Sequence, residues 1–440
     1  MIGPVSSPTQ SYWLAHLSPQ LLPTPSPAPP EAVDIAIIGA GMTGSALAYW
    51  LSVLAPGSEQ KSIAILDARG VAGGATGRNG GHLWPNPASD FEAEQTAELL
   101  KFISDFDVDC DLTLDGAAAF ERAQPESGVE YADTPDDPEN ANQEEDWGDD
   151  LLTWDAARCS EAVGTDSFSH ATYYPKAAQF YPAKVAAALL RHAKVDYFCA
   201  PVRVLSMDLS SPDGEREGKG ATERWHTLSW AMGDGQEADG VLRARQVAVC
   251  TNGWAADLLP ELSDYLYPTR NSVIMTEPLP SAAQWDVGGL SVDSDVGARE
   301  LYAIRRPDGR VCLGGARALE PGAAVGSSDD ASLDPTVSRY LRRFLEERWG
   351  GVAVEAEWSG VLGFTRDGKP LVGPLPTRPG VFVAAGFNGH GMPQCFGAGK
   401  ALACMLLGGA ADRAQRERQA RPHPHLLEVA DPSRFDLQLP

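Results

Sequence analysis

An α/β fold is predicted for this chain on three observations. Residues 33–67 read as strand, glycine turn, helix and second strand; a glycine-rich stretch follows that second strand directly; and a further strand, glycine turn and helix begin at Gly380. The first of these is the opening half of a Rossmann-type dinucleotide-binding unit.

The elements follow in order. SYWLAHL, ending at Leu17, suits a short docked apolar helix, and the proline-rich stretch from Ser18 to Pro30 suits an extended tether, because proline fixes φ and removes backbone donors. The core begins at Ala32. VDIAII from Val33 suits a buried parallel strand, SALAYWLSVL a helix, and KSIAILDA from Lys61 a second buried strand. Asp133 to Asp150 is acidic and contains proline, and reads as a solvated loop. RVLSMDLS and HTLSWAM read as strands flanking a polar hairpin tip that starts at Ser211. RARQVAVCTNGW from Arg243 is a strand running into a turn, and residues 299–316 are two strands around Pro307–Asp308–Gly309. VSRYLRRFLEERW from Val337 has helical apolar spacing.

Composition narrows the function classes. The 440 residues suffice for two or three domains. A formal net charge of −25 repels phosphate backbones and anionic lipid, which argues against nucleic acid and membrane surfaces as partners. Seven scattered cysteines without a C-x-x-C pair argue against a zinc site and against a secreted disulfide framework. The N-terminal residues lack the pattern of a signal peptide, and no apolar run is long enough to span a bilayer. A soluble, cytoplasmic protein without a metal is expected. Nothing in the sequence bears on its oligomeric state.

Three motifs carry the chemistry. The first is Gly39-x-Gly41-x-x-Gly44, with Met42 and Thr43 inside it. Gly39 permits the tight turn, Gly41 lets the backbone approach a pyrophosphate, and Gly44 lets helix and strand pack closely. The helix N-terminus then offers free N–H groups and a positive dipole end to the phosphates. Asp67, followed by Ala68 and Arg69, closes the second strand where a ribose-binding acid is required. The second motif is GVAGGATGRNGGHLWPN, in which Gly74, Ala75, Thr76, Arg78, Asn79, Gly80, Gly81 and His82 bring backbone N–H groups and one guanidinium up to a long cofactor. An NAD enzyme has no use for such a loop there, so FAD is favoured. A flexible surface loop is the plainer reading, and Arg78, Asn79 and Trp84 speak against it. The third motif joins Trp358–Pro374 to FVAAGFNGHGM, where the N-terminus of a second helix faces a flavin ring and stabilises charge that develops near N1 and O2. Taken alone, this block is equally a helix-capping turn.

These motifs make the chain resemble a known family. IIGAGMTG with Asp67, ATGRNGG, the turn Thr251–Asn252–Gly253–Trp254, GFTRDGKPLVGP with Gly363 and Asp367, and GFNGHGM with Gly386, Phe387, Asn388, Gly389, His390, Gly391 and Met392 occur in an order and spacing similar to the D-amino-acid-oxidase-like flavoproteins. The branch is that of gamma-glutamylputrescine oxidase and the sarcosine and glycine oxidases, and the likeness runs from Val33 to about Leu407. It implies a non-covalent FAD held by the residues just named, with Val202 touching the adenine side. It also implies a Rossmann-type FAD-binding domain (residues 32–82, 171–261 and 353–410) interleaved with an antiparallel-sheet substrate domain (83–170 and 262–352), an N-terminal segment (1–31) and a tail (411–440).

The activity implied is FAD-dependent oxidation of a carbon–nitrogen bond in a small amine or amino acid. The substrate C–H lies over flavin N5, a hydride is transferred, water hydrolyses the imine, and O2 is the expected acceptor. Two alternatives stay open: a flavin amine dehydrogenase with another electron acceptor, and a flavin-binding protein that has lost catalysis. His390 and His82 are the polar candidates at the flavin, each equally readable as a structural histidine. Tyr302 lines the substrate face or belongs to the core. The chain departs from the family at two places. Pro393 stands where relatives that oxidise sarcosine-like amino acids carry a carboxylate-binding Lys, and Cys312 stands where some carry a Lys that assists oxygen. Arg305 and Arg306 are possible substitute cations, or surface charges beside the turn. The expected substrate is therefore an amine whose polar group lies away from the reacting carbon.

Overall fold

A computed structural model describes residues 3–5, 7–55, 57, 60–122, 151–164, 168–210, 225–280, 285–293, 299–408, 430–435 and 437. The expected acidic loop at 133–150, the hairpin tip at 211–224 and most of the tail lie outside them.

Two eight-stranded sheets organise the described chain. The nucleotide sheet runs in the order Leu371–Pro374, Val381–Ala385, Gly240–Val249, Ala32–Ile38, Ile63–Leu66, Tyr197–Cys199. Its neighbours are parallel except at Leu371–Pro374, and Val202–Ser210 and Trp225–Met232 extend Gly240–Val249 as an antiparallel meander. Ile35–Ile38 and Ile63–Leu66 are buried throughout, which explains their unbroken apolar runs. From Ala32–Ile38 the sheet grows in both directions, so its C-terminal end is a topological switch point, where such sheets bind ligands. Helix Met42–Leu54 packs there against Cys395–Leu406 and Pro182–His192. The small residues of Cys395–Leu406 permit a close approach: a Cβ on Gly399 would lie 2.7 Å from the Leu47 backbone nitrogen.

The second sheet runs in the order Val354–Thr365, Leu266–Thr276, Val311–Gly315, Arg299–Arg305, Gly289–Asp293, Ala117–Arg122, Phe168–Tyr174, Leu152–Asp155. It is antiparallel apart from Gly289–Asp293 and Ala117–Arg122, which pair in parallel. Those two strands come from distant portions of the chain, and no hairpin ties their directions together. Val354–Thr365 hydrogen-bonds along the whole of Leu266–Thr276. The chain consequently returns to the nucleotide sheet at Leu371, beyond the expected boundary at 353, and Phe168–Tyr174 carries the large sheet past residue 170.

Tyr12–Ala15 is a short helix with Tyr12 and Trp13 buried. Helix Pro335–Trp349 begins two residues before its apolar pattern, because Asp334 accepts from the Thr336 and Val337 amides and Pro335 suits the first helical position. Among the described residues no helix is long and apolar enough to cross a membrane.

Candidate active site

A cavity opens at the switch point. Its walls include Gly39, Gly41, Met42, Thr43, Asp67, Ala68, Arg69, Gly74, Ala75 and Thr76 from the first two motifs. Val202, Thr251, Asn252, Trp254, Phe387, Gly389, Gly391, Met392 and Cys395 also line it. Gly39 has φ +106°, a region that favours glycine, and a Cβ there would lie 2.6 Å from the Cys250 carbonyl oxygen. A Cβ on Gly41 would lie 3.1 Å from Thr76 Oγ1. No side chain of Gly41 caps helix Met42–Leu54; the Thr76 hydroxyl accepts from the Met42 amide at 2.8 Å instead. Thr251 Oγ1 and Trp254 Nε1 are buried in the cavity lining with no partner among the described residues. A cavity with glycine-bared backbone, a helix N-terminus in its wall and orphaned polar atoms fits a dinucleotide flavin.

Asp67 is committed to backbone. Oδ2 accepts from Ala40 N (2.7 Å), and Oδ1 from Arg69 N (2.8 Å) and Gly70 N (2.7 Å). Three of about four lone-pair positions are used, which leaves one for a ribose hydroxyl. The structure corrects the role expected for the Arg78 guanidinium. It donates to Gly73 O, Ser359 O, Thr9 O and Thr9 Oγ1, so the charge turns away from the cavity, and burial pulls its pKa down to about 10. Burial also pushes the Cys395 thiol up to about 12, against a hydrogen bond with Thr43.

At Ala75, Asn79, Leu362, Phe387, Gly389 and Met392 the cavity meets a second, wider cleft. Arg78, Gly80, Gly81, His82, Trp84, Tyr302, Asn388, His390 and Pro393 line it, together with Glu92, Tyr174, Asn271, Ser291 and Gln394, which the sequence did not suggest. His82 is held low, to about 4, by burial. His390 is half-exposed, and its Nε2 lies 2.8 Å from Glu92 Oε2. Burial opposes its charge, but the hydrogen bond and the negative charge of Glu92 win, so its pKa is raised. Glu92 also accepts from Asn86 N and Gln394 Nε2, both at 2.7 Å. Ser89-x-x-Glu92 looks in sequence like a helix capping box, and Ser89 does cap the Glu92 amide. The glutamate side chain, however, reaches into the cleft. Asn271 Nδ2 donates to Tyr302 Oη at 2.8 Å, while Asn271 Oδ1 is buried with no partner among the described residues.

Several expected site residues line neither cavity. Gly44 packs on the Gly39 carbonyl, Gly253 on the Leu362 carbonyl, Gly363 against Asn252 and Gly386 against Thr365, so these glycines shape the backbone around the site. Asn252 Oδ1 accepts from Gly386 N (3.0 Å) and Asn388 Oδ1 from Thr365 N (2.9 Å), which knits the three late motifs together. The Asp367 carboxylate is taken by Arg434, at 2.6 and 3.1 Å, rather than by a cofactor. The two candidate substrate cations are also corrected. Arg306 pairs with Asp308 (3.1 Å) and Asp111 (3.3 Å) under the rings of Tyr12, Trp13 and Tyr181. Arg305 lies on the opposite strand face from Tyr302 and Ile304, which pack at Gly80 and Gly81. Cys312 is fully buried and borders neither cavity.

Residues 34–405 match the model of the family described as FAD dependent oxidoreductase. The chain is 23% identical over 405 residues to gamma-glutamylputrescine oxidoreductase from Escherichia coli (strain K12), covering 86% of this chain and 84% of that one. Its fold matches a crystal structure of glycine oxidase from Geobacillus kaustophilus with a TM-score of 0.64 at 18% identity, covering 88% of this chain and 98% of that one. It also matches L-proline dehydrogenase from P. horikoshii with a TM-score of 0.65 at 16% identity, covering 92% and 98%.

Proposed function

The chain belongs to the FAD dependent oxidoreductase family, and from that premise we propose that it oxidises the carbon–nitrogen bond of a small amine without an α-carboxylate, passing electrons to O2. One observation carries the substrate class. Arg78 is the only Arg or Lys among the described residues lining the wide cleft, and four of its five N–H donors are engaged by Gly73, Thr9 and Ser359. A carboxylate brought in there would be desolvated without an arginine or lysine turned toward it, at a cost of several kcal/mol. The cleft favours the opposite charge. Asn271 Oδ1 offers a buried acceptor, and Trp84, Tyr174 and Tyr302 offer ring surfaces to an ammonium group. The name of the Escherichia coli relative, which refers to a putrescine derivative, supports an amine.

When bound, the flavin supplies the two-electron acceptor for the C–H bond that breaks. The chain holds the amine and takes its ammonium proton, which frees the nitrogen lone pair. Of the two histidines, His390 suits proton acceptance: Glu92 fixes its Nε2 and raises its basicity, and Nδ1 has no partner among the described residues. His82, at about 4, is too weak a base to keep that proton near neutral pH and acts as a neutral wall. The test is anaerobic flavin reduction by putrescine-like and other non-carboxylate amines, compared with glycine, sarcosine, D-alanine and L-proline. Faster reduction by any α-amino acid refutes the substrate class. Peroxide release under air identifies O2 as acceptor, and its absence during turnover assigns a dehydrogenase.

A further inference from the structure

The residues ahead of the first strand are built into the cofactor cavity. Gly3 and Pro4 form part of its wall beside Val202, Arg203 and Asp257, and Gly3 lies against the Arg203 guanidinium. The Val5 carbonyl accepts from Arg69 Nε (3.0 Å) and Nη2 (2.8 Å). Thr9 N donates to the Asp330 carbonyl at 2.7 Å, and the Thr9 carbonyl accepts from Arg78 Nη2 at 2.7 Å. Ser11 Oγ donates to the Gly77 carbonyl, and Trp13 Nε1 to the Asn79 carbonyl at 2.7 Å.

The cavity-side partners follow a pattern. Arg69, Gly77, Arg78 and Asn79 belong to the stretch between Asp67 and His82, of which Ala68, Arg69, Gly74, Ala75, Thr76 and Asn79 line the cavity. That stretch has little regular structure: a single 3-10 turn at Ala75–Gly77. Its shape needs an outside hold. Asp330 supplies one end, being fully buried and paired with Arg69 at 2.7 and 2.8 Å and with Arg78 Nε at 3.6 Å. The N-terminal segment supplies the other, with carbonyls that take guanidinium hydrogens Asp330 does not reach. Without it, two largely buried cations would lose acceptors.

We propose that residues 3–5 and 7–17 are a strap that completes the FAD site: they wall part of the cavity and, together with Asp330, lock the 69–81 loop in its cavity-lining shape.

The test uses the full chain and two variants, one lacking residues 1–10 and one carrying Asp330→Asn. FAD affinity is read from flavin fluorescence, and hydrogen exchange across residues 5–17 is compared in the apo and FAD-bound forms of the full chain. FAD should slow that exchange about tenfold or more, and each variant should weaken FAD binding by about tenfold or more, as expected for charged donors left unpaired. Equal exchange with and without FAD overturns the proposal, whether or not the truncated chain folds. Folded variants (by circular dichroism) that bind FAD within twofold of the parent overturn it too. A full-length chain that takes up no FAD overturns it together with the cofactor site.

Discussion

Replacing Asp67 with asparagine tests how the cofactor turn is held. The carboxylate accepts three backbone amides, two on Oδ1 and one on Oδ2. Asparagine keeps one acceptor oxygen. If that oxygen serves Arg69 and Gly70, the new NH2 group faces the Ala40 amide, donor against donor. One hydrogen bond to a charged group is worth about 1.5–3 kcal/mol, roughly ten- to a hundredfold in an equilibrium constant. Alanine would orphan all three amides, and their summed cost of about 4.5–9 kcal/mol approaches the whole stability of a domain, about 5–15 kcal/mol. Asp67→Asn is therefore the informative change. The assay pairs thermal melting of the apo protein with FAD titration by fluorescence. Both should weaken, because the amides join the phosphate turn to the loop whether or not cofactor is present. An unchanged apo melting temperature alongside a tenfold loss of FAD affinity would refute the structural role and assign the carboxylate to the ligand alone.

Three other outcomes are expected. Gly41→Val should purify without flavin, since its Cβ already meets Thr76 Oγ1 at 3.1 Å and its methyl groups would enter the cavity; parental flavin absorbance in this variant would sink the pyrophosphate assignment. Acid precipitation should release the flavin from the parent, because burial keeps the Cys395 thiol protonated at neutral pH; yellow colour retained in the pellet would show a covalent bond. Glu92→Gln should shift the pH dependence of flavin reduction by amine. His390 must be neutral to accept a proton, so activity rises through its pKa; Glu92 raises that pKa, and removing the charge should move the rise to lower pH. A rise that stays in place would leave His390 without this role.

The cofactor half of the molecule was legible in the sequence because its constraints are local. A backbone that must approach a pyrophosphate needs glycine at Gly39 and Gly41, and an acid that must reach the turn has to close the next strand, as Asp67 does. Both requirements act over short chain distances and leave a spacing. The same logic misread Arg78 and Asp367. A charged residue inside a glycine-rich motif looks like a ligand for the cofactor, yet their partners, Asp330 and Arg434, lie far along the chain and leave no trace nearby.

The substrate cleft obeys the opposite rule. Trp84, Glu92, Tyr174, Asn271 and Tyr302 come from separate segments, and the tertiary fold brings them together, the last three on strands of the large sheet. No spacing links them, and Glu92 carries a misleading local signal, since Ser89-x-x-Glu92 already has a sufficient explanation as a helix start. Strand alternation, on the other hand, was available for Arg305. Once Tyr302 faces the flavin side, a period of two puts residue 304 beside it and residue 305 on the far face. Losing the lysine at Pro393 therefore does not call for a replacement cation nearby. Arg305 lies on the far strand face, Arg306 is neutralised by Asp111 and Asp308, and Arg78 is bound to carbonyls, so none of these three is presented to an incoming carboxylate. On the proposed reading, the Asn271 acceptor and the rings of Trp84, Tyr174 and Tyr302 are what the cleft offers to the substrate's nitrogen.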